Sequence, residues 1–193
     1  MPSDPAILGF DSSGPWIEAA VIRGEDILAL RRIEMPKGQG EALPEVLAAV
    51  LAEAGLGWQD LAALGVGTGP GNFTGIRIAT ALARGLALGL GIPAIGVTRF
   101  EAMALDGPDL PVIVSALRGQ VWVARAAEPP FLTATPPAQA IGEGRMAPAH
   151  PLALAIARLA RARRGNPHPR PAPLYLRDAD AAPPSEAPPV LID

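Results

Sequence analysis

Leu61-Ala-Ala-Leu-Gly-Val-Gly-Thr68-Gly-Pro-Gly-Asn-Phe-Thr-Gly75-Ile-Arg77, continued by Ile78-Ala-Thr-Ala-Leu-Ala-Arg84-Gly-Leu-Ala-Leu-Gly-Leu90, is the stretch that decides the architecture. Leu61 to Thr68 reads as a buried strand that runs into the Gly-rich Gly69, Pro70, Gly71, Asn72, Phe73, Thr74 and Gly75, and a helix is predicted over 76–90. At such a strand-to-helix junction glycines let the backbone approach another group, and free N–H groups at a helix start bind anions. The other reading is that the glycines only make a tight turn and allow close helix packing, since the segment lacks the Lys-Ser/Thr ending of a P-loop and is not G-x-G-x-x-G.

The helix has few strongly polar residues, Arg77, Thr80 and Arg84, so small or apolar residues occupy nearly its whole circumference. A helix apolar all round is covered on both sides. One side must lie on its own sheet, and a chain of 193 residues has few elements left to cover the other. A protein–protein interface is therefore expected at Phe73, Ile76, Arg77, Thr80, Ala83, Arg84 and Ala87, beside a second helix over 41–54. Ala81, Gly85 and Gly89, four apart, would let a partner helix come close. A charge introduced at Ala83 is expected to weaken association and leave the monomer folded.

Upstream, Ile7 to Asp11 is a short apolar strand, and the segments 16–22 and 27–33 alternate around Gly24-Glu25-Asp26 as a hairpin. The helix over 41–54 repeats Leu43, Val46, Leu47, Val50 and Leu51 at helical spacing and stops at Gly55. With a strand at Pro93 to Val97 the order is β-β-β-α-β-α-β, which implies an α/β fold with a mixed five-stranded sheet under helices. Downstream, strands at 110–117 and 121–127 restart the opening hairpin pattern, followed by one helix at 152–164. Of 23 prolines, 14 follow residue 128. The expected division is a first lobe at 1–105, a reduced second lobe at 106–164 and a Pro-rich tail at 165–193.

A net charge of −3 and a pI near 5.4 argue against a broadly basic nucleic-acid binder. Without cysteine there is no disulfide framework, Cys-ligated zinc or thiol nucleophile. The start shows no basic n-region or apolar h-region, and the longest uncharged apolar run, 85–97, is too short to span a bilayer, so a soluble cytoplasmic protein is expected. Asp11, Ser12 and Ser13 are the candidates for a phosphate or Mg²⁺ site, although such a turn is more often only a turn. His150 and His168 lack the spacing of zinc ligands on a helix. Arg158, Arg161, Arg163, Arg164 and Arg170 concentrate positive charge, readable as an RNA or acidic-partner contact or as a solvated helix face.

Together these residues resemble the bacterial TsaB (YeaZ) family of tRNA threonylcarbamoyladenosine biosynthesis proteins, glycoprotease-like (M22-type) members of the ASKHA superfamily. The match rests on Gly69 to Arg77, which looks like the family's Gly-Pro-Gly-Ser-Phe-Thr-Gly-x-Arg with Asn72 for Ser, and on Ile7 to Ser13. Glu41 to Pro44, Gly85 to Ala87, Pro93 to Val97 and Pro173 to Arg177 support it. Gln39 stands where the family often has His, and Ser115-Ala116-Leu117 replaces a frequent Asp-Ala-Arg. The resemblance implies an actin-like ATPase (ribonuclease H-like) fold with a truncated second lobe of the same type. It also implies a non-catalytic subunit with no cofactor of its own. In this family the catalytic relative, TsaD, carries the metal site and nucleotide pocket and transfers a threonylcarbamoyl group from threonylcarbamoyl-AMP to tRNA adenosine. TsaB-like chains pair with TsaD through N-terminal helices, work with the ATPase TsaE, form homodimers when alone, and meet tRNA only through the complex. The competing class is an ATP-dependent phosphotransferase or a metallopeptidase of the same superfamily.

Overall fold

The computed structural model describes residues 4–126 and 128–176. The elements are β1 (Ala6–Asp11), β2 (Trp16–Arg23), β3 (Asp26–Glu34), α1 (Gln39–Glu53), β4 (Leu61–Gly67), α2 (Phe73–Leu90), β5 (Ala94–Val97), α3 (Arg99–Ala104), β6 (Val112–Ser115), β7 (Val121–Ala124), β8 (Phe131–Thr133) and α4 (Leu152–Arg163). The first sheet has the order β3-β2-β1-β4-β5. Its two hairpin-linked pairs are antiparallel, and β1–β4 and β4–β5, joined through helices, are parallel. This follows from chain length: two- to four-residue turns reverse a strand, whereas a parallel return needs a crossover.

Every residue of β1 is buried, as expected for a strand covered on both faces. On one face Leu8, Phe10, Leu64 and Val66 pack with Leu43, Leu47 and Val50 of α1 and with Ala79 and Ala83 of α2. On the other, Ile7, Ala20, Ile22 and Ile95 pack with Ala153, Ile156, Ala157 and Ala160 of α4. The sequence pattern groups α4 with the second lobe; the packing sets it on the first sheet. A Cβ at Gly9 would lie 2.8 Å from Ala157 Cβ, and one at Gly65 2.9 Å from Ala160 Cβ and the Ile156 carbonyl. Two strand glycines thus receive an alanine-lined helix almost backbone to backbone. Glu18 on β2, 2% exposed, fixes its start: Oε1 accepts the Ala153 N–H at 2.9 Å, and Oε2 pairs with Arg32 at 3.1 Å.

Helix α2 starts at Phe73, three residues before the predicted position, because Asn72 caps it by accepting the Gly75 N–H at 2.9 Å. The second lobe is a three-stranded antiparallel sheet, β6-β7-β8. β6 and β7 are shorter than predicted: β6 ends at Ser115 because the chain turns at Leu117–Gly119 with Arg118 at φ 59°, and β7 ends at Ala124. β8 has no counterpart in the sequence reading. The described end of the tail crosses the first lobe as a strap: Leu174 N donates to Thr68 O at 2.8 Å, and Leu174 and Leu176 pack near Phe100, Met103, Val112 and Val114. Arg177, the last residue of the late sequence motif, lies outside the described residues, as does the tail after it.

Candidate functional site

The Asp11-Ser12-Ser13 turn, at the end of β1, meets the Gly-rich junction between β4 and α2. Asp11 Oδ1 accepts the Ser13 N–H at 2.9 Å and the Ser13 hydroxyl at 2.8 Å. Ser12 Oγ donates to Gly75 O at 2.9 Å, and Asn72 N donates to Ser13 O at 2.6 Å. A Cβ at Gly75 would overlap Ser12 O, one at Gly71 would overlap Ser13 O, and one at Gly67 would overlap Asp11 Oδ2. The glycines are therefore used to seat the chain's own β1 turn against the start of α2. Gln39 completes the clasp: buried at the first turn of α1, its Nε2 donates to Gly14 O at 2.7 Å and Trp16 O at 2.8 Å. Its part was hidden in sequence, where it stood only as a departure from a family pattern. Asn72 performs the capping that a serine would provide there.

Asp11 is fully buried. Its Oδ2 and the Trp16 Nε1 have no partner of ordinary hydrogen-bond geometry, yet the indole N–H faces the carboxyl closely enough to favour its charged form. Burial nonetheless raises the Asp11 pKa above the usual carboxylate range, against the Ser13 backbone bond and the charge of Arg99. Ser12 and Ser13 have their hydroxyls committed to Gly75 and Asp11. Phosphate or Mg²⁺ at this turn would have to displace those bonds.

The residues predicted for an interface divide between the two sides of α2. Ile76, Thr80 and Ala83 are buried, with Ala83 at 0% exposure on the sheet side, so a charge at Ala83 would enter the core and cost the fold. Phe73, Arg77 and Arg84 are exposed and Ala87 is half-buried. Ala81, Gly85, Leu88 and Gly89 extend the exposed face, Leu88 at 86% exposure and Phe73 at 52%. A Cβ at Gly85 or Gly89 would meet nothing within 4 Å. The helix is thus covered on one side and leaves a smooth apolar stripe with two cations on the other. By length and composition it is also apolar enough to cross a membrane, but its covered side belongs to the first sheet.

A cleft of about 510 Å³ lies between the lobes, lined by Trp16, Glu18, Arg32, Arg99, Glu143 and Arg145 among others. The Arg32 guanidinium sits 4.0 Å from the Trp16 ring centre and that of Arg99 5.2 Å. Arg32 pairs with Glu34 and Glu18, and Arg99 approaches Glu143 at 4.0 Å, so the cleft's arginines are largely matched. The arginine run on α4 is also used internally: Arg158 with His150 and Asp106, Arg161 with Glu25, Arg163 with Glu101. Arg164 and Arg170 remain exposed. His150 Nε2 lies 2.8 Å from Asp106 Oδ2, while His168 lies by the Pro169 carbonyl. Among the described residues no group of three His, Asp or Glu is placed to hold a metal ion.

Residues 37–181 match the family model of TsaD, tRNA N6-adenosine threonylcarbamoyltransferase. The chain belongs to the TsaD family. The TsaB protein of Bacillus subtilis, a tRNA threonylcarbamoyladenosine biosynthesis protein, is 31% identical over 120 residues, covering 60% of this chain and 52% of that protein. The tRNA N6-adenosine threonylcarbamoyltransferase of Cereibacter sphaeroides is 35% identical over 148 residues, covering 63% of this chain and 41% of the relative. The chain thus spans about half the length of the curated relatives it matches. YeaZ from Pseudomonas aeruginosa superposes with a TM-score of 0.70 at 22% identity, over 89% of this chain and 100% of that one, which shows a shared fold. Within the TsaD family the chain is similar in sequence to TsaB proteins and shares the fold of YeaZ.

Proposed function

We propose that the chain serves tRNA threonylcarbamoyladenosine biosynthesis as a non-catalytic subunit that docks a TsaD-type transferase on the outer face of α2, beside α1. The observation that carries this is the exposed apolar stripe Phe73, Ala81, Gly85 and Leu88, in a helix whose opposite side is already packed. Exposed leucine and phenylalanine on a smooth surface gain by losing water against a second apolar helix. The state of Asp11 supports the non-catalytic part. A carboxyl that is buried, held towards its neutral form and bonded to its own turn is poorly set to hold Mg²⁺ and nucleotide phosphates.

In this role the partner handles ATP-derived threonylcarbamoyl-AMP, the ATPase TsaE joins the pair, and tRNA is reached through the complex in the cytoplasm. When the partner is absent, the same stripe is available for a homodimer. The test is reconstitution of tRNA modification from the TsaD and TsaE proteins of the same organism and tRNA, with and without this chain. Modification should require it, and Leu88→Arg, which charges the stripe without touching the core, should abolish the requirement's fulfilment. Equal modification without the chain would refute the proposal. Tight Mg²⁺-dependent ATP binding by the isolated chain would favour the phosphotransferase alternative.

A further inference from the structure

Tyr175, on the C-terminal strap, lies 98 positions along the chain from Arg77 and accepts its Nε–H at 2.7 Å. The Arg77 guanidinium stands 3.6 Å from the Phe73 ring centre and 5.5 Å from that of Tyr175, and the two rings are themselves 5.5 Å apart. Behind them the strap is anchored by the Leu174 N–H on Thr68 O and by Leu174 and Leu176 in a buried cluster. Arginine side chains at a surface ordinarily sample many rotamers, and fixing one in advance removes an ordering cost from binding. Here two aromatic rings and one hydrogen bond do so, using Nε and leaving both terminal nitrogens as donors. Among the described residues no carboxylate lies within 4.0 Å of them.

We infer that the strap is part of the docking surface: Phe73 and Tyr175 hold Arg77 so that its terminal nitrogens receive a carboxylate from an apolar helix of the TsaD-type partner. The inference rests on the docking role of α2. Charge complementarity selects the occupant. Arg84 is seven residues along the same exposed face, about two helical turns away, with the low-profile Ala81 between them and Gly85 just past Arg84. A matching helix therefore carries small or apolar residues flanked by acids two turns apart. A second copy packed α2 against α2 would oppose arginine with arginine, because α2 contains no acidic residue, so self-association on this stripe yields to the acidic partner helix when both are present.

The test uses the full chain and the TsaD protein of the same organism, with affinity measured by calorimetry at low and high salt. Arg77→Gln should weaken binding about tenfold, the scale of a lost charge-assisted hydrogen bond, and flatten its salt dependence. Tyr175→Phe, which keeps the ring and removes the acceptor, should weaken it about threefold, and the double variant should be no worse than Arg77→Gln alone, the signature of coupled residues. Additive effects of the two substitutions, or wild-type affinity for both while Leu88→Arg abolishes binding, would overturn the strap's role and leave the docking role standing. Wild-type affinity for Leu88→Arg would remove both. Melting curves confirm that each variant is folded.

Discussion

One substitution made twice in helix α2 separates packing from propensity. Glycine to alanine inside a helix ordinarily stabilises by about 0.8–1 kcal/mol, because the folded chain loses less conformational freedom. Gly85 is exposed, with nothing within 4 Å of an added Cβ, so Gly85→Ala should realise that gain. At Gly75, in the first turn, an added methyl would overlap the Ser12 carbonyl oxygen and lie 3.1 Å from Gln39 Oε1. The obstructing atom is backbone, tied in place by the Ser12 Oγ to Gly75 O bond and by Asn72 N to Ser13 O. Relief requires parting the β1 turn from α2. Overpacking costs about 1–3 kcal/mol, and the strained hydrogen bond adds about 1. Set against the propensity gain, Gly75→Ala should destabilise by about 2 kcal/mol net, taking the propensity figure at about 1. For a chain of this size, 1 kcal/mol moves the midpoint by about 2–4 °C. Thermal and urea unfolding should therefore show Gly75→Ala melting about 4–8 °C below wild type and Gly85→Ala about 2–4 °C above it, on that same scale. Similar stabilisation of both variants would mean that the junction is loose, and would refute the clasp between the β1 turn and α2.

Two further outcomes test the interior polar groups. Glu18→Ala strips the buried Ala153 N–H of its acceptor and should cost about 2–3 kcal/mol in urea unfolding, whereas Glu18→Gln keeps an acceptor and should cost about 1. Equal costs for the two would deny that Glu18 holds the start of α4. Asp11 binds its proton more tightly in the folded than in the unfolded chain. Its contribution to stability is thus fully present below the ordinary carboxylate pKa of about 4 and is lost as the pH rises through the higher folded value. The stability of Asp11→Asn relative to wild type should accordingly rise from acid towards neutral pH; a gap that stays flat or shrinks would contradict the raised pKa.

Much of this was legible in the residues themselves. Hydrophobic period and turn length determined the element order, since Leu43 to Leu51 fit only a helix face and Gly24-Glu25 is too short for anything but a hairpin. The run from Gly69 to Arg77 marked the junction and the family. What the pattern left open was direction. A helix with apolar residues on every side does not reveal which side meets its sheet, so the pattern groups Ile76, Thr80 and Ala83 with Phe73 and Arg77, and only packing separates them. Nor does proximity along the chain reveal long-range partners. The strand glycines Gly9 and Gly65 and the alanines of α4 were each visible, but only the fold shows that they fit each other. Tyr175 reaches Arg77 for the same reason: local sequence encodes which backbone conformation is cheap, while the closest packing of distant surfaces decides which faces are buried and which remain free.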